Sequence, residues 1–504
     1  MKKIVIVLVV AVAALTGVAG VRSASLQLPS QEHVEPVDFA VDTDRAVRNL
    51  SAAVRYRTMA VDGDAAAYAD EFAGFRGFLA ETYPLVHSAL EREVVAGHTL
   101  IYRWAGTHED LPPVLLMGHM DVVPVEPGTE DAWPHGPFDG VIADGYVWGR
   151  GTMDDKPNVI GLLEAAEHML AEGFRPSRTV YLLFGHDEEV GGDGAAAAAA
   201  LFAERGIRFE FVLDEGGMIL HPEVFGSSAP IALVKTAEKG YLTVELSVRG
   251  TGGHSSRPPR ETPVGILSRA IVRLEDSPFP ARLEGPALDM VSTLAPDMGG
   301  AARVAFANRW LLNGMLLRRM SADPSSNASI RTTMAPTMLQ ASPKDNVLPS
   351  RASAIVNFRL LTGDSVAAVL HRVRRIVADD RVHIDVVTAV EPSPASDPAS
   401  GNYALLGRTI REVAPDVRVS PYLSLGATDS RHFTSLSDDV YGFLPLVADN
   451  DALDRIHGTG ERIAVADLER IVRFYVQVMR NSAGGVASRD GGDPATAPGR
   501  VTRH

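Results

Sequence analysis

Short apolar runs that stop abruptly at polar or charged residues recur through the first half of the chain. Val114–Met117 ends at Gly118-His119, Thr179–Phe184 at Gly185-His186-Asp187, and Phe209–Leu213 at Asp214-Glu215. Each run reads as a strand. Between the first two lies Asn158–Ala171, whose apolar positions recur at helical spacing, and Ala195–Ala200 adds a second helical segment because alanine favours helix. Strands alternating with helices predict an α/β layer with a mainly parallel sheet. Upstream, Val41 to Leu90 reads as helical, after a loose leader over 25–40.

The pattern changes near Gly240. Tyr241–Val248 alternates apolar and polar residues, as a half-exposed strand does. A helix over Pro263–Leu274, strands near Thr332–Gln340 and Ala352–Leu360, a helix over Val366–Val377 and a strand over Val382–Val387 follow. This β-α-β-β-α-β order predicts a small two-layer α+β domain of ferredoxin-like type, interrupted over 280–325 by helical sequence of its own. Glu391–Pro398 (EPSPASDP) reads as a linker. The chain then returns to α/β character and a helix over Val465–Met479. Its Gly, Ala, Pro and Ser-rich tail from Ser482 is expected to be disordered. The expected division is therefore 1–24, 41–240, 241–391, 399–481 and a tail over 482–504, with 41–240 and 399–481 forming one α/β unit.

The N-terminus is a separate object. Lys2 and Lys3 precede an apolar run from Ile4 to Val18, followed by the small residues Gly20 and Ala24. That order is a secretory signal peptide, and the run also suffices for an uncleaved single-span membrane anchor. Either way the body is expected outside the cytoplasm: secreted, periplasmic, or membrane-anchored. The chain has no cysteine, which excludes disulfides and thiolate ligands, so any metal must be held by His, Asp and Glu. A net charge of −15, from 48 basic and 63 acidic residues, argues against a nucleic-acid partner. With 504 residues and 46% apolar content the chain can bury a large core in two or three domains.

Five polar segments carry candidate chemistry, and three of them end predicted strands, where α/β sheets bind ligands. In Gly118-His119-Met120-Asp121, His119 can ligate a metal through one ring nitrogen while Asp121, on the same face of an extended segment, accepts the other N–H. The adjacent carboxylates Asp154 and Asp155, in a glycine-rich turn, repel each other unless a cation sits there. In Asp187-Glu188-Glu189, one acid can ligate metal and its neighbour remain free as a general base. Asp214-Glu215-Gly216-Gly217 offers a terminal acidic ligand through its first acid, and Ile456-His457-Gly458 a second imidazole. Two histidines, three acidic ligands and one free Glu satisfy two zinc ions without sulfur.

As an ordered set, LMGHMDVVPV, VWGRGTMDDK, LLFGHDEEVGG, FVLDEGG, GGHSSRPP and DRIHG make the chain recognisable. It resembles the aminoacylase/carboxypeptidase S branch of the co-catalytic di-zinc metallopeptidases over about residues 45 to 480, with its nearest likeness to carboxypeptidase S and the secreted N-fatty-acyl-amino-acid synthase/hydrolase. The resemblance implies two Zn2+, with Co2+ or Mn2+ as substitutes. His119, Asp154 and Asp214 would serve one ion, and Asp154 would bridge to a second held by Glu189 and His457. It further implies Glu188 as general base, Asp121 as orienter of His119, and a cis peptide at Asp154–Asp155. The 241–391 region is implied to be a lid and homodimerisation domain whose His254 reaches across the dimer to the scissile carbonyl. Asn346, Arg359 and Gly426 fall where the family contacts substrate. Ala427 stands where many relatives have a second glycine, so backbone approach to substrate is expected to differ.

The implied reaction is cleavage of an amide bond next to a free C-terminal carboxylate, as by a carboxypeptidase on short peptides. An N-acyl, including fatty-acyl, amino acid amidohydrolase or synthase would use the same chemistry. Trp310–Leu317 either lines an acyl-chain groove or packs as an ordinary helix in the lid or dimer interface. A non-catalytic binding protein on this fold is the reading from another class, and the free Glu188 argues against it. The chain has no G-x-S-x-G elbow and no H-E-x-x-H, which disfavours serine hydrolase and single-zinc helix mechanisms.

Overall fold

The computed structural model describes residues 2–27, 33–61 and 67–484. Four adjacent strands, Val180–Gly185, Val114–His119, Val212–Asp214 and Val440–Gly442, run parallel in that spatial order at the centre of a ten-stranded sheet. Their residues explain why the runs are unbroken. Val114 and Leu116 point into the large core beneath the helices Lys156–Ala171 and Val465–Ala483, whereas Leu115 and Met117 point into a second core against Asp193–Glu204. A parallel strand covered on both faces must be apolar at every position. In Asp193–Glu204 the buried Ala195, Ala198 and Ala199 face that second core.

The chain leaves Val114–His119 and crosses through Lys156–Ala171 to Val180–Gly185 on one side. It then crosses through Asp193–Glu204 to Val212–Asp214 on the other side. Strand order thus reverses about Val114–His119, and a crevice opens beyond the carboxyl ends of these strands. A hairpin, Glu91–Val95 with Thr99–Trp104, pairs antiparallel on one flank, and Ile231–Glu238 extends the other, parallel to Arg418–Ser424.

A second sheet of four antiparallel strands has the order Thr333–Gln340, Arg351–Leu360, Gly240–Arg249, Val382–Val390. Leu242, Val244, Leu246 and Val248 form its core with Ile266 and Leu267 of Pro263–Glu275 and with Val369 and Val373 of Val366–Val377. This is the ferredoxin-like arrangement that the element order implies. The interrupting sequence forms four helices, Gly285–Leu294, Gly300–Ala307, Arg309–Met320 and Pro324–Ser329, around a small core that includes Val291, Leu316 and Ile330. Leu316 is buried and Leu317 partly so in that core, whereas Trp310, Leu311 and Met315 are exposed.

The two sheets join through a single residue. Ile231–Glu238 passes into Gly240–Arg249 across Lys239, whose Nζ donates to Ala328 O and Arg331 O at 2.9 Å each. The chain returns beside Gly240, where a Cβ would lie 2.6 Å from Pro392 N, so a side chain has no room. The EPSPASDP segment is irregular but anchored: Ser393 N donates to Glu238 O and Ser396 N to Thr236 O. The C-terminal helix runs to Ala483, past the expected end at Met479, and the tail from residue 485 lies outside the described residues. The N-terminal helix Lys2–Ser25 has an apolar window of mean hydropathy 2.9 with none of it buried, and is long enough to cross a membrane.

Candidate metal centre

The strand end at His119 sets the centre. His119 is 1% exposed, and its Nδ1 lies 3.1 Å from Asp121 O and 3.3 Å from Asp121 Oδ1. The ring N–H donates there, which leaves Nε2 aimed 2.9 Å from Asp154 Oδ1. His457, brought from the far end of the sequence, places its Nε2 2.9 Å from the other oxygen, Asp154 Oδ2, and 3.3 Å from Glu189 Oε2. Asp154 thus offers one oxygen to each imidazole, the arrangement a bridging carboxylate needs. The Asp154–Asp155 peptide is cis.

Three overlapping donor sets have ligand atoms within 4.8 Å of one another: His119, Asp154 and Glu215; His119, Glu188 and Glu189; and Asp154, Glu189 and His457. One expected ligand lies outside these sets. Asp214 does not enter the cluster: its Oδ2 accepts from Thr428 Oγ1 and Ser430 N, each at 2.9 Å. Successive side chains at a strand end point to opposite faces, so it is Glu215 that reaches His119 Nε2, at 3.9 Å. The run Asp214-Glu215 shows in sequence that one acid is available, but not which.

Asp121 fixes more than the ring of His119. Its Oδ1 accepts from Glu188 N at 3.2 Å and its Oδ2 from Glu189 N at 3.0 Å. The acidic triplet divides its labour accordingly. Asp187 caps the helix Asp193–Glu204 by accepting from Gly194 N, Glu189 faces His457, and the Glu188 carboxylate has no hydrogen-bond partner among the described residues.

Electrostatics reflect a crowd of acids around two imidazoles. Burial, with the charges of Asp429, Glu189 and Asp121, pushes Glu188 well above the usual carboxylate range. Burial works against the charged form of Asp154, but hydrogen bonds from His119 and His457 outweigh it and hold that carboxyl well below the range. Contacts with Asp154 and Glu189 raise His457 to about 10. The buried Glu189 Oε1 has no hydrogen-bond partner. Carboxylate and imidazole donors without sulfur, one of them orphaned, fit a divalent cation of zinc type.

Residues outside the expected set hold the centre together. Arg150, 2% exposed, donates to Glu461 Oε2 at 2.5 Å and to His457 O at 3.0 Å, while Glu461 Oε1 accepts from Met153 N. This buried pair ties the Asp154 turn to the His457 loop. His457 itself takes φ 61°, a left-handed conformation that few non-glycine residues adopt, so the loop is held by its contacts. Behind Asp214, Lys235 Nζ donates to Glu238 Oε1, Thr428 Oγ1 and Ser430 Oγ. Lys235→Met is expected to destabilise the fold by about 3–5 kcal/mol, because Glu238 would keep a buried charge without its partner. Urea unfolding followed by tryptophan fluorescence measures this.

The remaining expected site residues lie elsewhere. Gly426 lines a cavity of about 270 Å³ together with Asp154, Glu215, Met153 and Ile456. His254 is exposed on the short strand Gly253–His254, paired with Val347–Leu348, and beside it Ser255 N donates to Asn346 O. The structure therefore puts His254 next to Asn346 but brings neither to the cluster within this chain. Arg359 stacks on Tyr241 at 4.6 Å, across the strand pair Gly240–Arg249 and Arg351–Leu360.

A profile of Peptidase family M20/M25/M40 matches residues 115–481, which span every residue of the cluster. The chain belongs to this family. It is 39% identical over 467 residues to probable carboxypeptidase S-like 2 of Dictyostelium discoideum, covering 92% of this chain and 89% of that protein. Against the human N-fatty-acyl-amino acid synthase/hydrolase PM20D1 it is 39% identical over 417 residues, covering 81% and 82%. Carboxypeptidase S of Saccharomyces cerevisiae is 31% identical, covering 90% and 89%. In fold it is similar to the M20 family metallo-carboxypeptidase Sso-CP2 from Sulfolobus solfataricus, with TM-score 0.64 and 17% identity over 86% of this chain and 98% of that one. As a member of this M20 family the chain is a hydrolytic enzyme, and the cluster is its candidate metal site.

Proposed function

We propose that the chain is a zinc-dependent hydrolase that cleaves an amide bond adjacent to a free C-terminal carboxylate. The observation carrying this reading is the Glu188 carboxylate, left without a hydrogen-bond partner, within the donor set of His119 and Glu189 while Asp121 holds its backbone. A purely binding metal site has no use for an unligated acid.

His119, Asp154, Glu215, Glu189 and His457 would hold two zinc ions, with Asp154 shared. When bound, such ions lower the pKa of a water and polarise a carbonyl. Glu188 takes the proton from the attacking water and returns it to the leaving amine nitrogen. Asp121 keeps Glu188 and Glu189 on one turn and sets the tautomer of His119. The cavity beside Gly426 receives the substrate, with Met153, Met218, Leu444 and Ile456 supplying an apolar wall.

The region over 241–391 acts as a lid and a dimerisation surface. Its edge strand Thr333–Gln340 leaves Met338 and Leu339 more than half exposed, as a strand that pairs with a second copy would. His254 of that second copy donates to the carbonyl oxygen as negative charge develops there. His254→Ala is expected to lower kcat by about 10²–10³-fold with metal content unchanged, the cost of one oxyanion donor. Steady-state kinetics with elemental analysis decide it, and unchanged kcat would remove His254 from the reaction.

A short-peptide carboxypeptidase is the first reading. An N-acyl amino acid amidohydrolase is the second, favoured by 39% identity to a named N-fatty-acyl-amino acid synthase/hydrolase. The test is amine release by purified, zinc-loaded protein from dipeptides and from N-acyl amino acids of graded chain length, each also offered as its C-terminal amide. Zinc-dependent cleavage of the free acids alone is expected, and equal cleavage of the amides would overturn the carboxylate requirement. The helix Lys2–Ser25 exports the body and, where uncleaved, anchors it.

A further inference from the structure

The helix Lys2–Ser25 is not an isolated appendage. Its last two turns are gripped by the helical insertion of the second domain. Arg303 donates to Ser23 O and to Leu26 O, Asn308 Nδ2 donates to Ala19 O and Ser23 Oγ, and Arg22 Nε donates to Ala307 O. Asn308 is fully buried by this contact and Ser23 nearly so. Removal of the helix near Ala24 would take away two of the three acceptors of Asn308 Nδ2 and leave only Val304 O, which favours a retained helix over a cleaved signal.

The apolar stretch from Ile4 to Val21 covers about 27 Å at 1.5 Å per residue, close to the thickness of a bilayer core. The gripped residues 19–26 then fall at the boundary where the helix leaves the hydrocarbon. At that boundary the chain places Asn308 and, directly after it, the helix Arg309–Met320. Trp310, Leu311 and Met315 of this helix are 54%, 47% and 57% exposed, while Leu316 on its other side is buried. Leu311 and Met315 stand one turn apart on the same face. The stretch from 298 to 322 contains four arginines (303, 309, 318 and 319) and no acidic residue, in a chain whose net charge is −15.

An apolar face with a Trp, set among arginines at the exit of a membrane-length helix, has the composition of an interfacial helix. We propose that Arg309–Met320 lies on the anionic surface of the same bilayer that Lys2–Ser25 spans, with Trp310, Leu311 and Met315 entering the headgroup boundary. The insertion is thereby a second, peripheral membrane contact that holds the domain over 241–391 against the lipid. This rests on the anchor reading of the N-terminal helix.

The absence of cysteine makes the test direct. Single cysteines placed by V10C, M315C and V387C in the full chain are labelled with an environment-sensitive fluorophore. The protein is then reconstituted into vesicles of phosphatidylcholine and phosphatidylglycerol, with and without brominated phosphatidylcholine. Val387 is 59% exposed on the strand Val382–Val390 of the same domain and serves as the reference. Positions 10 and 315 are expected to blue-shift and to be quenched by the brominated lipid, with position 387 unaffected. Quenching at 10 without quenching at 315 overturns the proposal and leaves the anchor reading intact; the patch then faces another protein or a second copy. No quenching at 10 overturns the anchor reading and the proposal with it. All three variants should retain amide hydrolysis, which separates loss of docking from loss of fold.

Discussion

Glu188→Gln is expected to lower kcat by about 10²–10⁴-fold while the protein keeps its metal, the usual range for loss of a general base. The amide keeps the size of the side chain, and the backbone N–H of residue 188 still donates to Asp121 Oδ1. Glu189 therefore stays on the same turn, 3.3 Å from His457. What is lost is an oxygen able to accept a proton and give it back. KM should change little, since the role lies in the reaction step and not in uniform binding. Steady-state kinetics and elemental analysis on one preparation test this. Near-normal turnover would remove Glu188 from the proton-transfer role.

Asp154→Ala is expected to act through the metal. Each imidazole aims its Nε2 at a different Asp154 oxygen, 2.9 Å away in both cases. Without that carboxylate the two halves of the donor set share no ligand. Turnover should fall more than about 10³-fold, a barrier increase above about 4 kcal/mol, and bound metal should drop in parallel. Metal retained at the original ratio after dialysis would rule out a bridging role. The two variants separate cleanly: one loses activity with metal in place, the other loses both.

How much of this was legible in the sequence depends on what each residue has to do. The parallel strands were readable because burial on both faces leaves no polar position until the chain emerges, as at His119. The second sheet was readable because its strands alternate and its helices carry clear caps, such as Thr262 before Pro263. Ile231–Glu238 is not legible because a fully buried strand there contains Lys235, Thr236 and Glu238, which are satisfied by one another and by Tyr422, Thr428 and Ser430 far along the chain. The hairpin of Glu91–Val95 with Thr99–Trp104 was hidden because its outer strand is largely exposed and reads like helix surface. That Glu215 and not Asp214 faces His119 turns on the side each side chain takes at a strand end, which an adjacent pair of acids does not reveal. An Arg and a Glu are common in surface loops, and only the closing of their 311-residue separation to 2.5 Å marks Arg150 and Glu461.

That closure bears on how the enzyme comes into being. Asp154 and His457 stand 303 positions apart, yet their side chains touch. Contacts of such sequence separation are among the slowest for a chain to find. A cation therefore cannot nucleate this fold as it does a small zinc finger, where binding and folding are one event. It meets a scaffold already assembled, and depletion of the ion should leave a folded, inert protein that revives when the ion is restored.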